Sequence, residues 1–96
     1  MAQVFEIYYK PLYGGKVRKE YRKFYDENNF TIITKKEYTE QQGVKMEFSK
    51  GQRLAELQAK ILSGLIQLTE TERAELSTLT REWCQYLESF EKLFAA

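Results

Sequence analysis

Between Leu76 and Leu93 the apolar residues Leu76, Leu79, Trp83, Tyr86, Phe90 and Leu93 step by three and four positions without a break. An α-helix brings such a spacing onto one face, because each turn returns the third or fourth side chain to the same side. Leu87 and Phe94 widen the stripe. Thr69 and Glu72 stand at capping-box spacing, and Glu70, Glu72 and Glu75 place negative charge at the positive end of the helix dipole. A helix is therefore predicted from Glu70 to near the end of the sequence. Whatever precedes it must help to bury its apolar side.

A second helical pattern lies upstream. Ser49 and Gln52 repeat the capping-box spacing, and Leu54, Leu57, Ile61 and Leu65 recur at helical intervals. Gly64 is a candidate left-handed terminator, although the periodicity also allows the helix to run to about Gln67. The link to the next helix is short, so the two are expected to fold back as an antiparallel hairpin.

The N-terminal half reads as β-structure. QVFEIYY, residues 3–9, is rich in β-branched and aromatic residues, and Gly14-Gly15 suits a tight turn. With these two glycines at the tip, Tyr8 falls opposite Tyr21, Glu6 opposite Lys23, Phe5 opposite Phe24 and Lys10 opposite Lys19. Lys16 to Tyr25 also admits a short amphipathic helix carrying Val17, Tyr21, Phe24 and Tyr25. The strand is preferred because isolated short helices are marginal. Pro11 suits an edge or turn position. Phe30 to Thr34, FTIIT, has the composition of a buried strand, Lys35 to Gly43 reads as a polar connection, and Val44, Met46 and Phe48 alternate as a half-buried strand. The expected fold is α+β: a small antiparallel β-meander of three or four strands over 1–48, followed by the helical hairpin over 49–96.

Ninety-six residues suit one domain with one core. Cys84 stands alone, so no internal disulfide is available, and a reduced cytoplasmic protein is expected. No apolar run approaches the roughly 20 residues of a membrane span, and the first residues lack a signal-peptide pattern. The absence of histidine removes Ser-His and Cys-His catalysis and most zinc sites. The acids sit at helix starts or among basic residues rather than as a separated pair, and Gly14-Gly15 lacks the remainder of a phosphate loop. Neither an enzyme nor a cofactor is expected. Cys84 reads as a half-buried structural thiol and Trp83 as core.

The segment from Tyr8 to Tyr25 interleaves tyrosines with Lys10, Lys16, Arg18, Lys19, Arg22 and Lys23. Tyr8, Tyr13, Arg18, Tyr21, Arg22 and Lys23 are its candidate partner-binding residues. Basic residues among aromatic ones suit single-stranded nucleic acid, yet alternation sends Lys19, Tyr21, Lys23 and Tyr25 to one face and Arg18, Glu20, Arg22 and Phe24 to the other, which dilutes any groove. The net charge of +1 divides into +3 over residues 1–50 and −2 over residues 51–96, and a +3 half falls short of a nucleic-acid footprint.

Residues 61–87, through Gly64, Thr69, Glu72, Leu76, Trp83, Tyr86 and Leu87, resemble the C-terminal region of phage tail-fibre assembly proteins. The proline-rich tail expected after that helix is missing, and the N-terminal half has no alignable counterpart. The resemblance implies a phage or mobile-element accessory protein, an assembly chaperone or an inhibitor of a host complex, that works by holding another protein. A protein partner is therefore expected first and nucleic acid second. If Leu87, Phe94 or Tyr86 is left uncovered by so small a sheet, self-association would bury it, so a homodimer stands open beside a monomer.

Overall fold

The computed structural model describes residues 3–64 and 67–95. These form β1 (Val4–Leu12), β2 (Lys16–Asp26), β3 (Asn29–Ile33), α1 (Lys35–Glu40), β4 (Val44–Glu47), α2 (Gly51–Ser63) and α3 (Glu70–Lys92). The class is α+β, but the sheet is not a meander. Its order is β3-β2-β1-β4, with β1–β2 and β2–β3 antiparallel and β4 parallel to β1.

A parallel neighbour needs a crossover, and α1 supplies it. Lys35 to Gly43 is thus no plain connection. Thr34 accepts from the Glu37 amide while the Glu37 carboxylate accepts from the Thr34 amide, a complete capping box at the start of α1. Tyr38 then packs edge-on against Phe5, with ring centroids 6.1 Å apart, and against Tyr21 at 5.1 Å. At the end of the crossover Val44 donates its amide to the Gln3 carbonyl at 2.8 Å. Gly43 is needed there, since a Cβ at this position would lie 2.4 Å from that same carbonyl oxygen.

Residues 16–25 are strand rather than helix. The β1–β2 turn holds Tyr13 as well as Gly14 and Gly15, with φ of 88° and 80° at the glycines. That third loop residue shifts the pairing by one relative to the two-residue expectation. Tyr8 faces Glu20, Glu6 faces Arg22, Phe5 faces Lys23 and Lys10 faces Arg18. The observed register puts Val4 opposite Phe24 and Glu6 opposite Arg22 on one face. Pro11 sits where β1 has run past β4, which pairs only from Val4 to Ile7, so its missing amide costs no ladder bond on that side.

β3 corrects the buried-strand expectation for Phe30 to Thr34. It is an edge strand, with Phe30 40% and Ile32 59% exposed, and Thr34 belongs to the α1 cap. Its apolar composition is not matched by cover, because α3 packs elsewhere: Phe90 joins Val4 and Phe24 in a buried cluster flanked by Val44, Met46, Tyr86 and Phe94.

In the helical half, the expected Ser49–Gln52 box does not form. Lys50 is the N-cap, and no side chain caps the helix start there. α2 stops at Gly64, whose left-handed φ of 67° and amide bond to the Ile61 carbonyl close the last turn. Ile61 is exposed, and Leu65 lies outside the described residues. α3 starts at Glu70 behind the Thr69–Glu72 capping box, as expected. The helices run in opposite senses, since Lys50 pairs with Glu82, Arg53 with Glu75 and Lys60 with Glu72. Leu54, Leu57, Phe48 and Leu79 form the buried cluster between them. They are not a hairpin laid on the sheet as a unit, however. α2 has 13 residues and α3 has 23, so the second half of α3 leaves its partner and packs on the sheet alone. Trp83 is half-buried at the changeover, and Cys84 is exposed rather than half-buried.

Candidate partner-binding face

The register divides the basic aromatic segment between two surfaces. Val4, Glu6 and Tyr8 share one sheet face with Phe24, Arg22 and Glu20, and α3 lies across part of it. Phe90 meets Phe24 at 4.8 Å between centroids, and Trp83 meets Tyr8 at 6.1 Å. Between these contacts the Tyr86 hydroxyl donates to Glu6 at 2.5 Å. Glu6 is only 4% exposed, and burial raises its carboxyl above the ordinary value despite the Tyr86 bond and the positive charge of Arg22. The same burial and hydrogen bond push the Tyr86 phenol far upward.

Arg22 is locked in place. Its guanidinium carbon lies 3.9 Å from the Tyr8 ring centroid and 4.2 Å from that of Phe30, a stacked cation between two aromatic faces. Its Nε and Nη2 both donate to Glu20, at 3.2 and 2.7 Å. The charge is thereby spent inside the protein, and Arg22 serves as the floor of a groove rather than as a free cation.

That groove runs between α3 and the β2–β3 side of the sheet, with Tyr8, Arg22 and Phe30 on its floor and Trp83, Leu87 and Phe90 on its helical wall. Glu27 and Glu91 stand at its end, next to Asp26 and Glu88. Ile32 and Phe30 alternate on the same face of β3 as Arg22 and Phe24, their partners across the ladder. The outer side of the groove is therefore an exposed apolar strip on a sheet edge.

Tyr21 and Lys23 point to the opposite face, with Lys19. There Tyr21 meets Tyr38, the Lys19 ammonium lies 5.6 Å from the Tyr21 ring, and the Lys45 ammonium lies 4.9 Å from the Tyr38 ring. Among the described residues Lys19, Lys23 and Lys45 have no carboxylate within ion-pair distance. Nearby, the hydrogen bond from the Tyr9 hydroxyl to Glu47 pushes that phenol up to about 12. Tyr13 lies in the β1–β2 turn, 72% exposed, and Arg18 is exposed opposite Lys10. Of the six sequence candidates, Tyr8 and Arg22 meet on the groove floor, Tyr21 and Lys23 share the other face, and Tyr13 and Arg18 stand apart.

Phe30, Ile32 and Tyr38 complete these surfaces without having been singled out for them, whereas Leu87, on the groove wall, was among the stripe residues expected to be left uncovered and is half-buried. For Tyr38 a signal existed, the Thr34–Glu37 capping spacing that starts α1. For β3 none did, because a charge-free strand looks the same at an edge as in a core. No family model, curated protein or solved structure matches the chain. Among the described residues no three His, Cys, Asp or Glu side chains could hold a metal ion, and no helix is long and apolar enough to cross a membrane.

Proposed function

We propose that this chain is a non-catalytic protein-binding module whose contact surface is the β3 edge together with the groove beneath α3. One observation carries the reading: β3 is an edge strand without a single charged residue, and its Phe30 and Ile32 are exposed beside aromatic groove walls. Proteins usually guard such edges with charge, proline or cover, since unpaired strand amides and carbonyls recruit another strand. A partner would add an extended segment to β3 and lay alternate apolar side chains toward the groove. The resemblance of residues 61–87 to tail-fibre assembly proteins supplies the setting, a phage or mobile-element accessory that chaperones assembly or blocks a host complex. The test compares the parent with Ile32→Lys as immobilised bait. Proteins held by the parent and lost by a variant with unchanged melting temperature support the reading, and equal retention by both refutes it.

A second reading rests on the opposite face, where Tyr21, Tyr38, Lys19, Lys23 and Lys45 gather. Stacking rings among cations suit single-stranded nucleic acid. Heparin retention that falls with salt, and falls further in Lys19→Gln/Lys23→Gln/Lys45→Gln, would favour this reading; passage of the parent without retention at low salt would dismiss it.

A further inference from the structure

We propose that β3 pairs antiparallel with β3 of a second copy, about a two-fold axis through Thr31, joining two four-stranded sheets into one continuous sheet. This rests on the edge-strand reading above and names its occupant. A two-fold axis normal to the sheet matches each residue with one on the same face. Centring it on Thr31 satisfies that condition and pairs the whole of Asn29–Ile33. Centring it on Phe30 or Ile32 would leave residues at one end of each strand without a β3 partner. In the Thr31 register Phe30 lies opposite the second copy's Ile32, an aromatic and β-branched pair of the kind that stabilises neighbouring strands, while Thr31 faces itself. The exposed halves of the two grooves then adjoin on one face.

Charge supports the same arrangement. Asp26 and Glu27 lie at the β2–β3 turn, before β3, whereas Lys35 and Lys36 open α1 just after it. Glu27, Lys35 and Lys36 are exposed, Lys36 making only a loose 4.0 Å contact with Glu40. Antiparallel pairing brings the acidic turn of each copy beside the lysines of the other, at both ends of the new ladder. A parallel arrangement would set acid beside acid and lysine beside lysine. The opposite edge of the sheet is a poorer joint, since β4 has four residues and two of them, Lys45 and Glu47, are charged.

Sedimentation equilibrium of the full chain, from low micromolar upward, tests the pairing. The parent is expected to dimerise, and Ile32→Lys, which sets an ammonium against Phe30 of the other copy, is expected to raise the dissociation constant at least about tenfold. Lys35→Glu should weaken the dimer by roughly threefold, and adding Glu27→Lys to the same chain should restore it, because the swap re-forms opposite charges at both ends. A glutamate in the first turn of α1 suits the helix dipole, so that loss would not reflect unfolding. A parent that stays monomeric throughout, or a dimer indifferent to Ile32→Lys, overturns the proposal. In the monomeric case, partner capture that still depends on Ile32 would leave the binding reading standing, and capture indifferent to Ile32 would remove both.

Discussion

Glu6 shows how one buried carboxyl couples pH to stability. It lies beneath α3, accepts from Tyr86, and burial holds its carboxyl above the ordinary value of 4.5. A group whose folded-state value is raised stabilises the fold while protonated. That contribution is complete below the unfolded value and is lost as pH rises through the folded one. Urea midpoints of the parent should thus fall, relative to Glu6→Gln, as pH rises from 4 toward 7 (roughly the range above an unfolded Glu). At neutral pH Glu6→Gln is expected to be the more stable protein by on the order of 1 kcal/mol, because it keeps an acceptor for Tyr86 without burying a charge. Parallel midpoints for the two proteins across that range would refute this account. Trp83 is stacked on Tyr86 at 5.1 Å and set edge-on to Phe48 at 5.5 Å. Its replacement by alanine removes contacts to both helices and to β1, with an expected loss of about 3 kcal/mol in chemical denaturation.

At the scale of elements, the two capping motifs expected from the helical half have opposite outcomes, and mutation should separate them. Thr69 accepts from the Glu72 amide at 3.1 Å, so Thr69→Ala should cost about 0.5–2 kcal/mol of unfolding free energy. Ser49→Ala should change it by less than about 0.5 kcal/mol, since Lys50 occupies the cap position and no side chain bonds the first-turn amides. Denaturation midpoints that respond equally to both would contradict the assigned helix start. The difference has a structural reason. Phe48 belongs to the buried cluster between α2 and α3, and Gly51 lies so close to the Tyr9 ring that a Cβ would come within 2.8 Å of it. Gly51, Ala55 and Ala59 form one buried ridge of small residues at four-residue spacing, and the Gly51 contact turns that ridge toward β1. Tertiary packing thus sets where α2 begins, overriding a local pattern.

As a whole the molecule is elongated, with extents of 44 × 26 × 19 Å and a radius of gyration of 14.8 Å. A compact chain of this length would have a radius of roughly 12–13 Å. A thin core leaves more of the stability to the clamp between α2 and α3. There the Lys60 ammonium and the Thr69 amide hold the Glu72 carboxyl down at about 2. For a depressed carboxyl the stabilisation is present above the unfolded value and is lost as pH falls through the folded one. Thermal midpoints should therefore drop between pH 4.5 and about 2, and Lys60→Gln should flatten that part of the drop. Circular dichroism melts in acid would check it, with an unchanged slope in the variant counting against the clamp.

The local motifs were legible in the sequence, and their long-range geometry was not. The start of α3, its apolar stripe and the strand character of β1 follow from interactions within a few residues, which spacing and side-chain chemistry express directly, whereas strand against helix over residues 16–25 and the end of α2 at Gly64 against Gln67 were open in the sequence and closed by the fold. The side of β1 on which β4 lies, the register around a three-residue turn, and the exposure of β3 depend on crossover path and cover, which involve residues far apart in the chain. The candidate face shares that limit. Tyr8 and Arg22 stood out among basic and aromatic neighbours, but only their stacking with Phe30 beside Trp83 made them one groove floor. Sequence alone determined which residues were apolar and periodic. Tertiary structure decided which of them would be covered, because a helix as long as α3 can lie over only part of a four-stranded sheet, and β3 falls outside its reach.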